Sequence, residues 1–126
     1  MRIYFRGELG SVKSTLIRGL LRSLGVQTRV KSPTYTLVEH YVVSRLHLYH
    51  FDFYRFVDAR EFADAGLADY FEGEGICLVE WPERAGDLLP RPDLEFVLDY
   101  AGDGREIRAT AHSASGERCL AGCRDA

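Results

Sequence analysis

Between Gly7 and Thr15 the chain reads GELGSVKST: a glycine, four intervening residues, Val12, then Lys13 and Ser14. A glycine-bearing turn lets successive backbone N–H groups converge, and a helix opening directly behind it adds the positive end of its dipole. Such a nest takes phosphate oxygens. The Lys13 ammonium, a compact point charge, suits the terminal phosphates, and the Ser14 hydroxyl suits Mg²⁺. Only two of the sixteen basic residues are lysines, Lys13 and Lys31, so a lysine at this position stands out in a chain that otherwise uses arginine.

Two further stretches end in a carboxylate. LHLYHFD ends at Asp52 and GICLVE ends at Glu80. Phosphoryl transfer uses an acidic group at a strand tip to hold a metal or orient an attacking water, and both acids are candidates. SPTYTLV, residues 32–38, follows the first helix, where Thr34 or Thr36 either senses a terminal phosphate through Mg²⁺ or simply serves a strand. His47 and His50 are read as buried strand histidines rather than metal ligands. Trp81, the single tryptophan, is a core or pocket-wall aromatic by default. Cys119 and Cys123, with His112 upstream, have no second pair to complete a metal site and fall in what reads as a solvated tail.

These residues need elements to hold them. RIYFR, residues 2–6, has the aromatic and β-branched content of a short strand. From Lys13 the apolar period becomes helical, with Leu16, Ile17, Leu20, Leu21 and Leu24 on one face and Gly25 as a stop. The glycine turn therefore lies between a strand and a helix, the context this motif requires. Residues 31–43 start as an extended loop at Ser-Pro and become a strand, which SR turns back into LHLYHFD. Residues 58–71 read as helical, with Asp58 as N-cap and a break at Gly66. GICLVEWP has the continuous apolar run of a strand buried on both faces, and DLEFVLDY with EIRATAHS forms a second hairpin around AGDGR. The expectation is one α/β domain over residues 1–126, P-loop NTPase-like, with a mixed, partly antiparallel sheet flanked by helices and a flexible tail over 114–126.

Bulk properties are compatible with this and exclude some alternatives. A chain of 126 residues with 46% apolar content can bury a core. Net charge is −3, yet residues 1–50 carry 8 basic against 2 acidic residues while 51–126 carry 8 against 17. The basic half suits a phosphate-bearing ligand or ordinary surface charge equally. No basic tail or aromatic-interleaved basic strip points to direct nucleic-acid binding. Asn is absent, so an NKxD guanine-reading segment is impossible. Three cysteines, no leader-like segment and no apolar span indicate a reducing cytoplasm and no membrane association.

In order, GELGSVKST, KSPTYTLVEHY, YHFDFYR and ICLVEWPER resemble the bacterial TsaE (YjeE) family, the P-loop ATPase of tRNA threonylcarbamoyladenosine biosynthesis. The likeness runs from about residue 2 to residue 100. It implies an ATP/ADP- and Mg²⁺-dependent ATPase that works with the threonylcarbamoyl transferase subunit and its inactive paralogue (TsaD and TsaB type) and meets tRNA only indirectly. Carried onto this sequence, the resemblance assigns Lys13, Asp52 and Glu80 as catalytic residues. Gly7, Leu9, Gly10, Ser11, Val12, Lys13, Ser14 and Thr15 hold the nucleotide, with Thr36 as the switch threonine and Trp81 as the aromatic beside the acid. Ser14 and Glu80 hold the metal.

Two departures from the family pattern set further expectations. The pattern has glycine where Val12 stands, at a position expected to need positive φ, an outlier for a β-branched residue. Strain on the order of 1–3 kcal/mol and displaced N–H groups then imply nucleotide affinity roughly ten- to a hundredfold weaker, and open an alternative reading as a weak or inactive binding subunit of the same complex. Relatives also carry an extra N-terminal strand and helix, which are expected to be missing here.

Overall fold

The structure, a computed structural model, describes residues 1–7, 10–30 and 37–125. Leu9, Thr34 and Thr36 lie outside the described residues. The elements are β1 (Arg2–Arg6), α1 (Gly10–Ser23), β2 (Val38–Val43), β3 (Leu46–Asp52), α2 (Arg60–Asp64), α3 (Ala68–Glu72), β4 (Ile76–Glu80), β5 (Leu94–Ala101), β6 (Gly104–Ala111) and α4 (Ala114–Asp125). Two 3-10 turns, Pro82–Arg84 and Gly86–Leu88, join β4 to β5.

The strands form one six-stranded sheet in the order β2-β3-β4-β1-β5-β6. β3, β4, β1 and β5 run parallel, and β2 and β6 close the two edges as antiparallel hairpin partners. The fold is thus a single α/β domain with a mixed sheet flanked by helices. In the register, Asp52 pairs with Glu80 and Glu80 with Phe5, so the carboxyl ends of β3, β4 and β1 are level. In open α/β sheets that end is where ligands bind.

Side chains alternate along each strand, and the alternation divides the core. Ile3, Phe5, Leu48, Leu78 and Leu94 pack under Ile17 and Leu21 of α1. Tyr4, Phe51, Cys77 and Val79 pack on the opposite face with Phe62 of α2 and Phe71 of α3. β4 is buried from Cys77 to Glu80, as its continuous apolar run requires. Left-handed backbone ends the segments where expected: Gly25 (φ 107°) closes α1, Gly66 (φ 69°) separates α2 from α3, and Gly102 (φ 60°) turns β5 into β6.

Three local expectations need correction. α1 begins at Gly10, three residues before the apolar period becomes visible at Lys13. Asp58 caps from one residue outside the assigned N-cap: its Oδ1 accepts the Arg60 N–H at 2.9 Å while its own N–H donates to Glu61 Oε2 at 3.0 Å. The stretch read as a flexible tail is helix α4. Ser113 caps it, its Oγ accepting the Gly116 N–H at 3.1 Å and donating to Asp93 Oδ1 at 2.7 Å. Asp93 Oδ2 in turn accepts the Arg2 N–H at 2.8 Å. The helix is therefore tied to both β1 and β5, and Cys119 and Leu120 pack on the α1 side of the core. Small residues and glycines hid an anchor that is mostly long-range.

Candidate functional site at the carboxyl edge of the sheet

Gly7 ends β1 with φ 118°, and a Cβ there would collide with the Leu98 carbonyl of β5. Both its backbone angle and the lack of space require glycine. Gly10 and Ser11 open α1, and Val12 lies in its first turn. The positive φ expected at Val12 is not observed: among the described residues only Leu37, Ser44 and Trp81 adopt it without being glycine. Valine at this place is an ordinary, if imperfect, helix residue, and the backbone-strain argument against it fails.

Lys13 follows on the buried side of the helix. Its side chain is 0% exposed, and among the described residues its Nζ has no hydrogen-bond partner. The ammonium instead stands 3.5 Å from the centroid of the Trp81 ring, a cation–π contact that replaces only part of what water would supply. Burial lowers the Lys13 pKa, against the opposing pull of the carboxylates of Glu83, Glu80 and Asp52.

Asp52 and Glu80 project to the α1 side of their strands, two residues beyond His50 and Leu78 respectively. Glu80 is 2% exposed and divides its two oxygens. Oε1 accepts from the Ser14 hydroxyl at 3.3 Å, and Oε2 is 2.8 Å from His50 Nε2. Asp52 is half-buried, and its Oδ1 accepts the Tyr54 N–H at 3.0 Å. Burial raises the Asp52 pKa, the Tyr54 N–H opposes the rise, and Glu80 adds to it. Trp81, directly after Glu80, is left-handed with φ 58° and ψ 48°. A bulky residue in this region carries strain, and strain of this kind clusters at functional sites. Thr15 is on the exposed side of α1.

The structure therefore brings Lys13, Ser14, Asp52, Glu80 and Trp81 together. It adds partners that the linear pattern did not assign to the site. His50 is buried against Glu80, whereas His47, also expected to be buried, is exposed and stacks on His40 with ring centroids 5.0 Å apart. Tyr54 packs on Trp81 at 5.1 Å, and the Arg84 guanidinium lies 5.7 Å from both rings. The alternation His50-Phe51-Asp52 carried the signal for His50: on a strand it shares a face with Asp52. Among the described residues no group of three or more His, Cys, Asp or Glu forms a metal cluster, and no helix is long and apolar enough to cross a membrane.

Fold and site together define the class: an α/β protein in which a glycine turn and helix start present a buried lysine and a serine to acids at parallel strand tips. The chain belongs to the TsaE family; the family model for "Threonylcarbamoyl adenosine biosynthesis protein TsaE" matches residues 1–107. It is 43% identical over 118 residues to the tRNA threonylcarbamoyladenosine biosynthesis protein TsaE of Haemophilus influenzae, covering 94% of this chain and 75% of that protein. The protein of the same name from Bacillus subtilis is 44% identical over 106 residues, covering 83% of this chain and 66% of the relative. A crystal structure of Bacillus subtilis YdiB superposes with a TM-score of 0.77 at 36% identity, covering 98% of this chain and 77% of that one.

Proposed function

We propose that the chain acts in tRNA threonylcarbamoyladenosine biosynthesis as a Mg²⁺-dependent subunit that binds and hydrolyses ATP. In this reading it works in the cytoplasm with the transferase subunit and its inactive paralogue, of the TsaD and TsaB type, and touches tRNA only through them. The observation that carries the proposal is the Lys13 ammonium, fully buried at the start of α1 with no acceptor among the described residues. A charge in that state costs several kcal/mol, and an anion delivered to the helix start would satisfy it.

The residues present fit the metal. Ser14 Oγ and Glu80 Oε1 are hard oxygen donors 3.3 Å apart, the donor type Mg²⁺ takes. They would hold Mg²⁺, which when bound would offset charge on the phosphate oxygens. Lys13 binds the terminal phosphates and leaves the Trp81 ring to do so. Asp52 uses Oδ1 to accept from Tyr54, leaving Oδ2 to accept a hydrogen bond from the attacking water. Its burial and raised pKa suit a proton-accepting role better than a free surface carboxylate would. The weak or inactive alternative rested on strain at Val12 and on displaced loop N–H groups; the helical backbone at Val12 removes the first ground, and the second falls on residues outside those described.

Isothermal titration with ATP and Mg²⁺ tests binding, and phosphate release with and without the two partner subunits tests turnover. Saturable binding, lost in Lys13→Ala, and turnover that rises with the partners are expected. No binding at millimolar ATP, or no phosphate release in the full complex, overturns the reading.

A further inference from the structure

His50 is 3% exposed and lies in the interior of β3, one strand away from Glu80. Its Nε2 is 2.8 Å from Glu80 Oε2, and among the described residues its buried Nδ1 has no partner. A carboxylate only accepts, so Nε2 carries a proton and donates to Oε2. The two side chains are 4% and 3% exposed, so water cannot substitute for either.

The consequence is a division of labour on one carboxylate. With Oε2 held by His50, the Glu80 group cannot rotate, and Oε1 is fixed toward Ser14 Oγ at 3.3 Å. Outer hydrogen bonds of this kind orient a ligating carboxylate, and losing one typically costs 10–100-fold in metal affinity. We propose that His50 is a positioning residue that holds Glu80 in its metal-ligating orientation through the Nε2–Oε2 hydrogen bond. The proposal rests on the Mg²⁺·ATP reading above and assigns a role to a histidine that would otherwise be core filler.

The geometry separates a donor role from a packing role. A glutamine at position 50 places an amide N–H close to the site of Nε2, whereas asparagine places it near Nδ1, too short to reach Glu80. His50→Gln and His50→Asn are therefore compared with the wild-type chain. ATP affinity is measured by titration calorimetry without metal, and the Mn²⁺ affinity of the ATP complex by electron paramagnetic resonance. Expected are a 10–100-fold loss of Mn²⁺ affinity in His50→Asn, near-wild-type affinity in His50→Gln, and unchanged metal-free ATP binding in both. As a measurement needing no variant, the ring ¹⁵N spectrum of wild-type His50 should show a proton on Nε2. Its Nε2 resonance should shift when Mg²⁺ is added to the ATP complex. Equal Mn²⁺ affinity in all three proteins, equal loss in both variants, or a ring protonated at Nδ1 alone overturns the role of His50 and leaves the ATP reading standing. Absence of ATP binding by the wild-type chain overturns that reading and this role with it.

Discussion

Replacing Lys13 by methionine isolates the conflict between stability and ligand binding at this site. The substitution keeps an unbranched, flexible side chain one atom shorter and removes the charge. Against it stands the lost contact with Trp81, worth about 2 kcal/mol when desolvated. Its partial replacement by a sulfur–aromatic contact returns about 0.3–1.5 kcal/mol. The three carboxylates of Glu83, Glu80 and Asp52 also lose a compensating charge, but their pull on Lys13 is outweighed by desolvation, since its pKa is lowered. In favour of the substitution is relief of a buried ammonium with no acceptor among the described residues, a penalty of about 1–3 kcal/mol. The terms sum to between about −0.7 and +2.5 kcal/mol, centred on a stabilisation of about 1 kcal/mol, or a rise in melting temperature of roughly 3–5 °C for a domain of this size. Urea denaturation and calorimetry of the nucleotide-free protein measure the gain, and ATP titration of the same sample should show binding abolished. A Lys13→Met variant at least 1 kcal/mol less stable than the wild type would refute the reasoning, because it would mean the ammonium is already satisfied.

Other expectations are more local. Val12→Gly should lower the stability of the nucleotide-free protein by a few tenths of a kcal/mol to about 1 kcal/mol, since a glycine replaces valine inside α1; a gain of 1 kcal/mol or more on urea denaturation would restore the strained-loop account. Gly7→Ala should cost more than about 3 kcal/mol or prevent folding, combining a left-handed φ of 118° with a collision against the Leu98 carbonyl; circular dichroism and thermal melting would show it, and a wild-type melting temperature would contradict it. Burial pushes the Cys77 thiol up from 9.0 to about 11, so it should resist a thiol reagent at pH 8 in the native state while Cys119, half-buried, reacts first; peptide mapping after labelling decides. Because the folded pKa exceeds the unfolded one, this thiol's contribution is complete below pH 9 and is lost as pH rises through about 11, a fall of about 2–3 kcal/mol that alkaline denaturation, read against Cys77→Ala, would register.

Much of this architecture was legible because it is local. The strand–glycine turn–helix order, the two hairpins and the buried β4 follow from period, turn residues and apolar runs, and each is found. What was not legible depends on contacts across the sheet. α4 is ordered by Ser113, Asp93 and Arg2, and Arg2 lies 91 positions from Asp93 in the chain. The backbone at position 12 was inferred from a pattern whose glycine implies freedom that this helix start does not use. At the site, Lys13, Asp52 and Glu80 could be chosen by type and spacing, but the orphaned Nζ and the His50–Glu80 bond are products of packing and appear in no linear motif.

On a regular strand Glu80 and Trp81 would face opposite sides of the sheet. Trp81, left-handed immediately before Pro82 where extended backbone is preferred, packs against the Phe51 side of the core and still meets the Lys13 ammonium with its ring at 3.5 Å. Acid and indole are joined by a single rigid amide plane. The ring that meets the lysine and the acid that meets the serine therefore sit one peptide apart.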